Sequence, residues 1–395
     1  MRQVRIVMGL VILALVALGL CVLASAGAKT SLVVKQSGYF AAAAVVGTVM
    51  AAFDYRKWRE WKWLPWATMA VTVVLLIVVR FFCEAKKGSH RWIEMGPISL
   101  QPGEMAKLMA VFMTAWWIDK VGWRIELFIK GVLPIAGIIG LLGLLTIIEP
   151  DFGTTIVIAI TAATILFVGG IRWRHMLPVM AAAVIAIGVT LWLNPNRLNR
   201  LLAFRDRTAE ITGDAKRRSA NDQLNNSLVA FGNAVRDPDL KPWWDPVKTH
   251  PWWNALTGSG YMQSMQKKAY LPEHHTDFIF AIGAEELGLV FSLGILALYT
   301  TLFVCGYIVS RKASDTLGRL LAFGMSFTVF FQVLFNVGVV CGVLPTKGLA
   351  LPFISYGGTH VITTAIAMGT IFSVAIRNGL QKERIRSKIS VVRFS

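Results

Sequence analysis

Ionisable side chains break into long apolar runs at four places, and each place could do chemistry. An ionisable group at membrane depth is costly and is a functional candidate by default. The first cluster is His90-Arg91-Trp92-Ile93, then Gly96-Pro97, then Gln101-Pro102-Gly103-Glu104-Met105-Ala106-Lys107. Glu104 and Lys107 are three apart and share a helix face, which gives either a local ion pair or a charged wall for a substrate headgroup. The second is Glu149-Pro150-Asp151-Phe152-Gly153, where Pro150 ends one helix and Asp151 can cap the next. The third is Leu271-Pro272-Glu273-His274-His275-Thr276-Asp277-Phe278. Asp277 can also be a cap, but a carboxylate at a dry, half-buried boundary can have its pKa raised into the range of a general base. His274 and His275 lack the spaced partners of a structural metal site. The fourth is Glu285-Glu286 with Gln332 and Asn336, which read as hydrogen-bonding groups between helices. Glu285 lies two turns beyond Asp277, about 12 Å along a helix.

The elements that hold these groups are apolar helices. Of 395 residues, 55% are hydrophobic and 16% charged, and the mean hydropathy is +0.58. A soluble domain carries about a quarter charged residues. The length criterion gives about ten spans, near 5–28, 37–53, 63–82, 103–119, 125–148, 152–170, 175–193, 276–309, 319–343 and 358–377. The run Ile6 to Ala28 has no charge and exceeds a cleavable signal core, so it is expected to remain as the first span. The fold expected is an all-α integral membrane protein forming one domain over 1–395, with a basic tail at 378–395.

The net charge of +18 follows topology rather than nucleic-acid binding. With the N-terminus inside, Lys and Arg of inside segments (Arg56, Lys57, Arg59, Arg172, Arg311, Arg377 and the tail among them) outnumber those of short outside loops (Lys29, Lys35, Lys86, Lys87, Arg91, Lys347) by about three to one. Both termini are therefore expected to be cytoplasmic, with the basic tail attracted to anionic lipid. One large extracytoplasmic loop, 194–275, is polar and carries two echoes, Pro242-Trp243-Trp244 and Pro251-Trp252-Trp253, that read as headgroup-level anchors. Cys21, Cys83, Cys305 and Cys341 are scattered in or beside apolar runs and behave as small hydrophobes. The Pro/Gly-rich stretch 345–359 interrupts the bundle before the last span. Irregular backbone at that depth must be buried in protein or line a polar cavity.

These motifs, in this order, resemble the SEDS family (shape, elongation, division and sporulation). His90 to Ile93 with Gln101 to Lys107 is similar to the family's G-x-x-R-W-I and Q-P-S-E-x-x-K block, with Gly103 in place of Ser. Glu149 to Thr154 is similar to Q-P-D-L-G-T, Leu271 to Phe278 with Glu285 to Gly288 to L-P-E-x-H-T-D-F and E-E-L-G, and Leu351 to Gly358 to L-P-F-I-S-Y-G-G. Arg197 and Arg200 resemble the arginines that open the family's large loop. Pro345 to Leu349 is closer to the division members than to the elongation members. The chain departs after Asn226 to Gly232: residues 233–257, with both Trp pairs, read as an insertion that could dock a partner.

The resemblance implies a peptidoglycan glycosyltransferase of the bacterial inner membrane, its active site facing the periplasm, that polymerises lipid II. It implies Asp277 as general base. It places Arg91, Lys107, Arg197 and Arg200 at the diphosphate, for which the bidentate fork of Arg is suited. It also puts Trp92, Glu104, Asp151, Glu273 and His275 around the substrate, with Glu104 orienting Lys107. A divalent cation, Mg or Mn, fits the diphosphate chemistry, although no ligand set in the sequence demands one, and no organic cofactor is implied. The partners implied are a class B penicillin-binding transpeptidase, other divisome proteins and membrane lipids. Two other readings share the charged outer cavity and broken helices: a flippase for lipid-linked precursor, and a non-catalytic scaffold that recruits a transpeptidase. A flippase would add polar residues along the inner half, where they are sparse.

Overall fold

The computed structural model describes residues 1–26, 30–83, 91–95, 98–192, 256–262, 276–344 and 348–393. Arg197, Arg200, Glu273, His275 and residues 233–255 of the Trp-rich insertion lie outside the described residues. Each of the ten expected spans coincides with a helix: α1 (Arg2–Ser25), α2 (Thr30–Ala52), α4 (Leu64–Phe82), α5 (Pro102–Val121), α6 (Leu133–Ile148), α7 (Phe152–Val168), α8 (Trp173–Trp192), α9 (Ile279–Arg311), α10 (Thr316–Val340) and α11 (Gly358–Arg393). A one-turn helix, α3 (Lys57–Glu60), joins α2 to α4. Among the described residues, seven helices are long and apolar enough to cross a membrane. Pro65, Pro102 and Pro134 each occupy a first turn, where the missing N–H would have no intrahelical partner.

Four features depart from the sequence reading. A short antiparallel hairpin, β1 (Ile93–Met95) and β2 (Ile98–Leu100), leads into α5, with Ile93 opposite Leu100. The class remains all-α, and the hairpin satisfies backbone that has no helix to join. Lys35 lies within α2 rather than in a loop, because nothing from Thr30 onward breaks a helix. Its long stem lets an exposed ammonium stay on a helix whose other faces are apolar. The last helix does not stop near 377 but continues to Arg393, so most of the basic tail is helical. Finally, α9 is broken at Gly288 (φ 69°, ψ −159°).

The centre is built from α5, α10, α11 and the first half of α9. On α5 one continuous run from Ala106 to Trp116 is buried and includes Lys107, with Glu104 buried just before it, while Lys120 at the far end is exposed. α2 packs along α11 most closely at Gly369, where a Cβ would lie 2.5 Å from the Gly47 carbonyl oxygen. Small residues at such crossings let backbones approach. At the end where α2, α5 and α9 finish, ion pairs join Arg56 to Asp315 (3.4 Å), Arg377 to Asp54 (3.3 Å) and Arg59 to Asp119 (3.9 Å). The opposite end carries β1, β2 and the start of α9.

The break in α9 receives the segment 256–262. The Ser259 and Gly260 amides donate to the Glu285 and Glu286 carbonyls at 2.9 and 3.0 Å, replacing the helical bonds lost at Gly288. The same segment reaches α1: the Tyr261 hydroxyl donates to the Cys21 carbonyl (3.1 Å) and the Met262 amide to the Ser25 hydroxyl (3.1 Å), which itself donates to the buried Glu286 carboxylate of α9. Gly288 has positive φ, and a Cβ there would lie 2.4 Å from the Leu256 carbonyl oxygen. Gly288→Ala is expected to lower stability by about 2 kcal/mol or more, because strain and a backbone clash add. Thermal unfolding of the detergent-solubilised protein checks this, and an unchanged melting temperature would contradict it.

Candidate active site

The loop between α10 and α11 is irregular backbone set inside the bundle. Leu349, Leu351, Phe353, Ile354 and Ser355 are all buried. Phe353 holds a left-handed conformation, φ 62°. A carbonyl in such a place needs a donor, and three helices supply them. On α10 the Gln332 amide donates to the Ala350 carbonyl (2.6 Å), and Asn336 Nδ2 donates to the Leu349 carbonyl (2.6 Å). From α9 the Tyr299 hydroxyl donates to the Pro352 carbonyl. From α2 buried Gln36 donates to the Ser355 carbonyl (3.3 Å) and accepts from the Gly357 amide (3.1 Å). The Ser355 hydroxyl accepts from the Leu351 amide (2.7 Å) and donates to the Thr276 carbonyl (2.6 Å).

Asp277 sits on this platform. Asn336 Nδ2 spends its second proton on the Asp277 carbonyl (2.9 Å), so one amide nitrogen ties Asp277 to Leu349. The N-cap of α9 is Phe278, not Asp277, and it offers no side-chain cap. The Asp277 carboxylate lies directly against Gly348: a Cβ on Gly348 would clash with Oδ2 and Cγ. Asp277 is half-buried, whereas Phe278 and Ile279 are buried. A half-buried carboxylate held against backbone has a fixed position and a partly desolvated charge, which suits proton abstraction from a hydroxyl.

Lys107, on α5, lies beneath, at the level of Gln332, one helical turn before Asn336 on α10. It is 3% exposed, and its ammonium donates to Glu104 (2.8 Å) and to Gln332 Oε1 (2.7 Å). Glu104 also accepts from Thr363 on α11 (3.4 Å). The ion pair expected from the spacing therefore forms. Gln332 extends it from Lys107 to the Ala350 carbonyl, and Asn336, four residues on, completes the path to Asp277. Thus Glu104 and Lys107 are linked to Asp277 through Gln332, the Leu349–Ala350 backbone and Asn336, and among the described residues the ammonium makes two hydrogen bonds.

Arg91 and Asp151 form a neighbouring group at the α6–α7 turn. Arg91 donates from Nε to the Glu149 carbonyl (3.3 Å) and from its terminal nitrogen to the Pro150 carbonyl. These carbonyls end α6, where a cation is favoured by the unpaired carbonyls and the helix dipole. Asp151 caps α7 as expected, accepting from the Thr154 amide (3.4 Å) and hydroxyl (2.8 Å), and it also accepts from Gln101 Nε2 (3.3 Å). Trp92 is half-buried immediately before β1. Thr359 links this group to the platform: its hydroxyl donates to the Ser99 carbonyl (2.5 Å) and accepts from the Gln101 amide (3.1 Å).

Three residues join the site that the motifs did not single out as functional. Gly348 is the floor under Asp277. Gln36 holds both ends of the Ser355–Gly357 turn, and its signal was a lone amide side chain within an apolar helix. His360 is buried beside Glu104 and Lys107, and its Nε2 makes no hydrogen bond among the described residues. The Glu149 carboxyl is buried at the same turn, and burial first, then Asp151, pushes its pKa up to about 8 against the pull of Arg91 and Arg80.

A family model for the FtsW, RodA and SpoVE cell cycle proteins matches residues 2–234 and 255–379. The break over 235–254 falls inside the segment read as an insertion. A protein of Coxiella burnetii named as a probable peptidoglycan glycosyltransferase FtsW is 32% identical over 378 residues, covering 92% of this chain and 94% of its own. One of Nitrosococcus halophilus with the same name is 34% identical over 322 residues, covering 81% and 76%. Among solved structures, a chain of a peptidoglycan synthase complex that coordinates polymerisation and crosslinking superposes with a TM-score of 0.74 at 24% identity, covering 94% of this chain and 97% of its own. The rod shape determining protein RodA of Thermus thermophilus gives 0.65 at 23% identity, covering 93% and 95%. These two structures share the fold.

Glu149 makes stability depend on pH. Its folded pKa lies above the ordinary 4.5, so the fold favours the protonated form. That contribution is whole below the unfolded pKa and is lost as pH rises through about 8. Melting temperature is expected to fall across that window in the wild type and to fall less in Glu149→Gln. Parallel pH profiles for the two proteins would contradict this.

Proposed function

The chain belongs to the FtsW, RodA and SpoVE family of cell cycle proteins, and from that membership we infer a multi-pass membrane peptidoglycan glycosyltransferase that polymerises lipid II, with Asp277 as its general base. The observation that supports this assignment of the base is the placement of Asp277. It is the half-buried carboxylate where α9 begins, held on the 348–355 platform and joined through Asn336 and Gln332 to Lys107.

The reaction needs three things from the protein. A base takes the proton of the acceptor sugar's 4-hydroxyl as its oxygen attacks the donor sugar. Cations stabilise the departing undecaprenyl diphosphate, which carries away the bonding pair. A rigid floor fixes the base within reach of the hydroxyl. Asp277 is the base. Arg91, anchored by the Glu149 and Pro150 carbonyls, faces the diphosphate. Arg197 and Arg200 join it from the large loop, with Glu273, His275 and Trp92 around the sugars. Lys107 acts from below as a buried positive charge that holds Gln332, its third N–H remaining for the substrate side. Asp151 fixes Gln101 and so the start of α5. No step is assigned to a divalent cation: among the described residues no three His, Cys, Asp or Glu side chains cluster to hold one.

The orientation that fits this chemistry puts Asp277 at the periplasmic side of the bacterial inner membrane and both termini in the cytoplasm. The excess of Lys and Arg at the opposite end supports it. A class B penicillin-binding transpeptidase is the proposed partner, alongside other divisome proteins, and the resemblance of the synthase complex supports a crosslinking neighbour.

Purified protein with labelled lipid II, alone and with a class B transpeptidase, is expected to form glycan strands; a flippase or a scaffold forms none. Asp277→Asn should lower the rate by a factor on the order of a thousand while lipid II still binds. Gly348→Ala should lower turnover at least tenfold, because its Cβ must displace the base. Lys107→Ala should weaken donor use. Wild-type rates from Asp277→Asn would remove Asp277 from the mechanism, and wild-type rates from Gly348→Ala would refute the floor.

A further inference from the structure

Glu149 and Arg80 lie beside the site with polar atoms unused. Glu149 is 1% exposed, and its Oε1 makes no hydrogen bond among the described residues. Arg80 is in the last turn of α4, an otherwise uncharged helix that packs against α6, and its buried Nε also lacks a partner there. Its guanidinium lies 5.9 Å from the Phe81 ring centre. Arg91 and Arg80 both act electrostatically on Glu149, and Asp151 opposes them from α7. From α5, the neutral side chain of Gln101 reaches this turn, while the charged pair Glu104–Lys107 faces α10. α6 itself has no titratable residue, and neither has the second half of α8.

A buried carboxyl oxygen without a partner is expensive, so a ligand or a proton belongs there. A diphosphate offers only acceptor oxygens toward it, and only a protonated carboxyl can donate to them. An ionised carboxylate would repel the anion and satisfy the arginines itself. We propose that neutral Glu149, together with Arg80 and Arg91, forms a subsite for a diphosphate-class anion, and that ionised Glu149 closes it by pairing with the same two arginines. The inference rests on the polymerase reading, in which the donor is a lipid diphosphate. It makes Glu149 and Arg80 binding residues for that donor.

The test measures binding of farnesyl pyrophosphate to the full chain in nanodiscs at about pH 6.5 and about pH 9.5, either side of the Glu149 transition. Inorganic pyrophosphate forms a parallel arm. Wild type is expected to bind about tenfold more weakly at the higher pH, the loss of one charge-assisted contact. In Glu149→Gln the ratio of the two affinities should fall to about one, and Arg80→Gln should bind about tenfold more weakly at the lower pH. The same ratio for both probes assigns the subsite to the diphosphate alone, and a ratio seen only with the prenyl probe assigns it to the lipid-linked form. A wild-type ratio of one, or a Glu149→Gln ratio equal to the wild type's, overturns the proposal. Should Glu149→Gln fail to fold, Arg80→Gln decides: undiminished affinity at the lower pH overturns it. Binding is read without turnover. A chain that shows this pH ratio and makes no glycan therefore keeps the inference and loses the polymerase reading. A working polymerase without the ratio loses the inference alone.

Discussion

Non-helical backbone inside an apolar bundle survives only if each of its polar groups finds a partner, and the stretch from 348 to 357 is such a backbone. Its carbonyls cannot turn to water or lipid. Gln36, Tyr299, Gln332 and Asn336 meet them from α2, α9 and α10, and the Ser355 hydroxyl takes the Leu351 amide. The positions of three helices are thereby set by one short segment. Asp277 inherits its place from the same bonds, since the donor that satisfies Leu349 also satisfies Asp277.

The same economy explains the buried charges. Lys107 would be costly alone at this depth, but Glu104 and Gln332 leave little of it unsatisfied. Such a pair is weak as a source of stability, because desolvation offsets much of its Coulomb gain. Its value here is positional: it fixes the rotamer of Gln332, hence the Ala350 carbonyl, hence the platform. Catalysis by a positioned base depends on small displacements, and a bundle core transmits them because it is close-packed. The break at Gly288 belongs to this scheme. It ends the first part of α9 about three turns after Asp277 and lets the segment 256–262 clasp the helix, so that segment is tied to α1 and α9.

The helices were legible in sequence because spanning length and charge-free runs leave few alternatives. The site was legible wherever a residue type carried its own signal: the three-residue spacing of Glu104 and Lys107, the cap at Asp151, the acid at the head of α9. What escaped depended on contacts between distant positions. Gly348 matters only because Asp277, far along the chain, rests on it, and glycine in a Pro/Gly-rich loop announces no such duty. The Gly288 break was hidden because the surrounding residues are apolar and helical on both sides, and the partner amides come from Ser259 and Gly260. The hairpin was missed because three-residue strands have too few positions for an alternating pattern. Arg80 lies inside the expected span 63–82 and was not singled out, although a cation in an uncharged helix is itself a signal.

The most direct measurement is the rate of lipid II polymerisation by Asn336→Leu, compared with wild type at equal amounts of folded protein. Asn336 touches no substrate in this account. It only binds the Asp277 and Leu349 carbonyls, so its loss should cut turnover at least tenfold with little change in lipid II affinity. Full turnover from folded Asn336→Leu would mean that the base does not depend on the platform, and the account would fail at its centre.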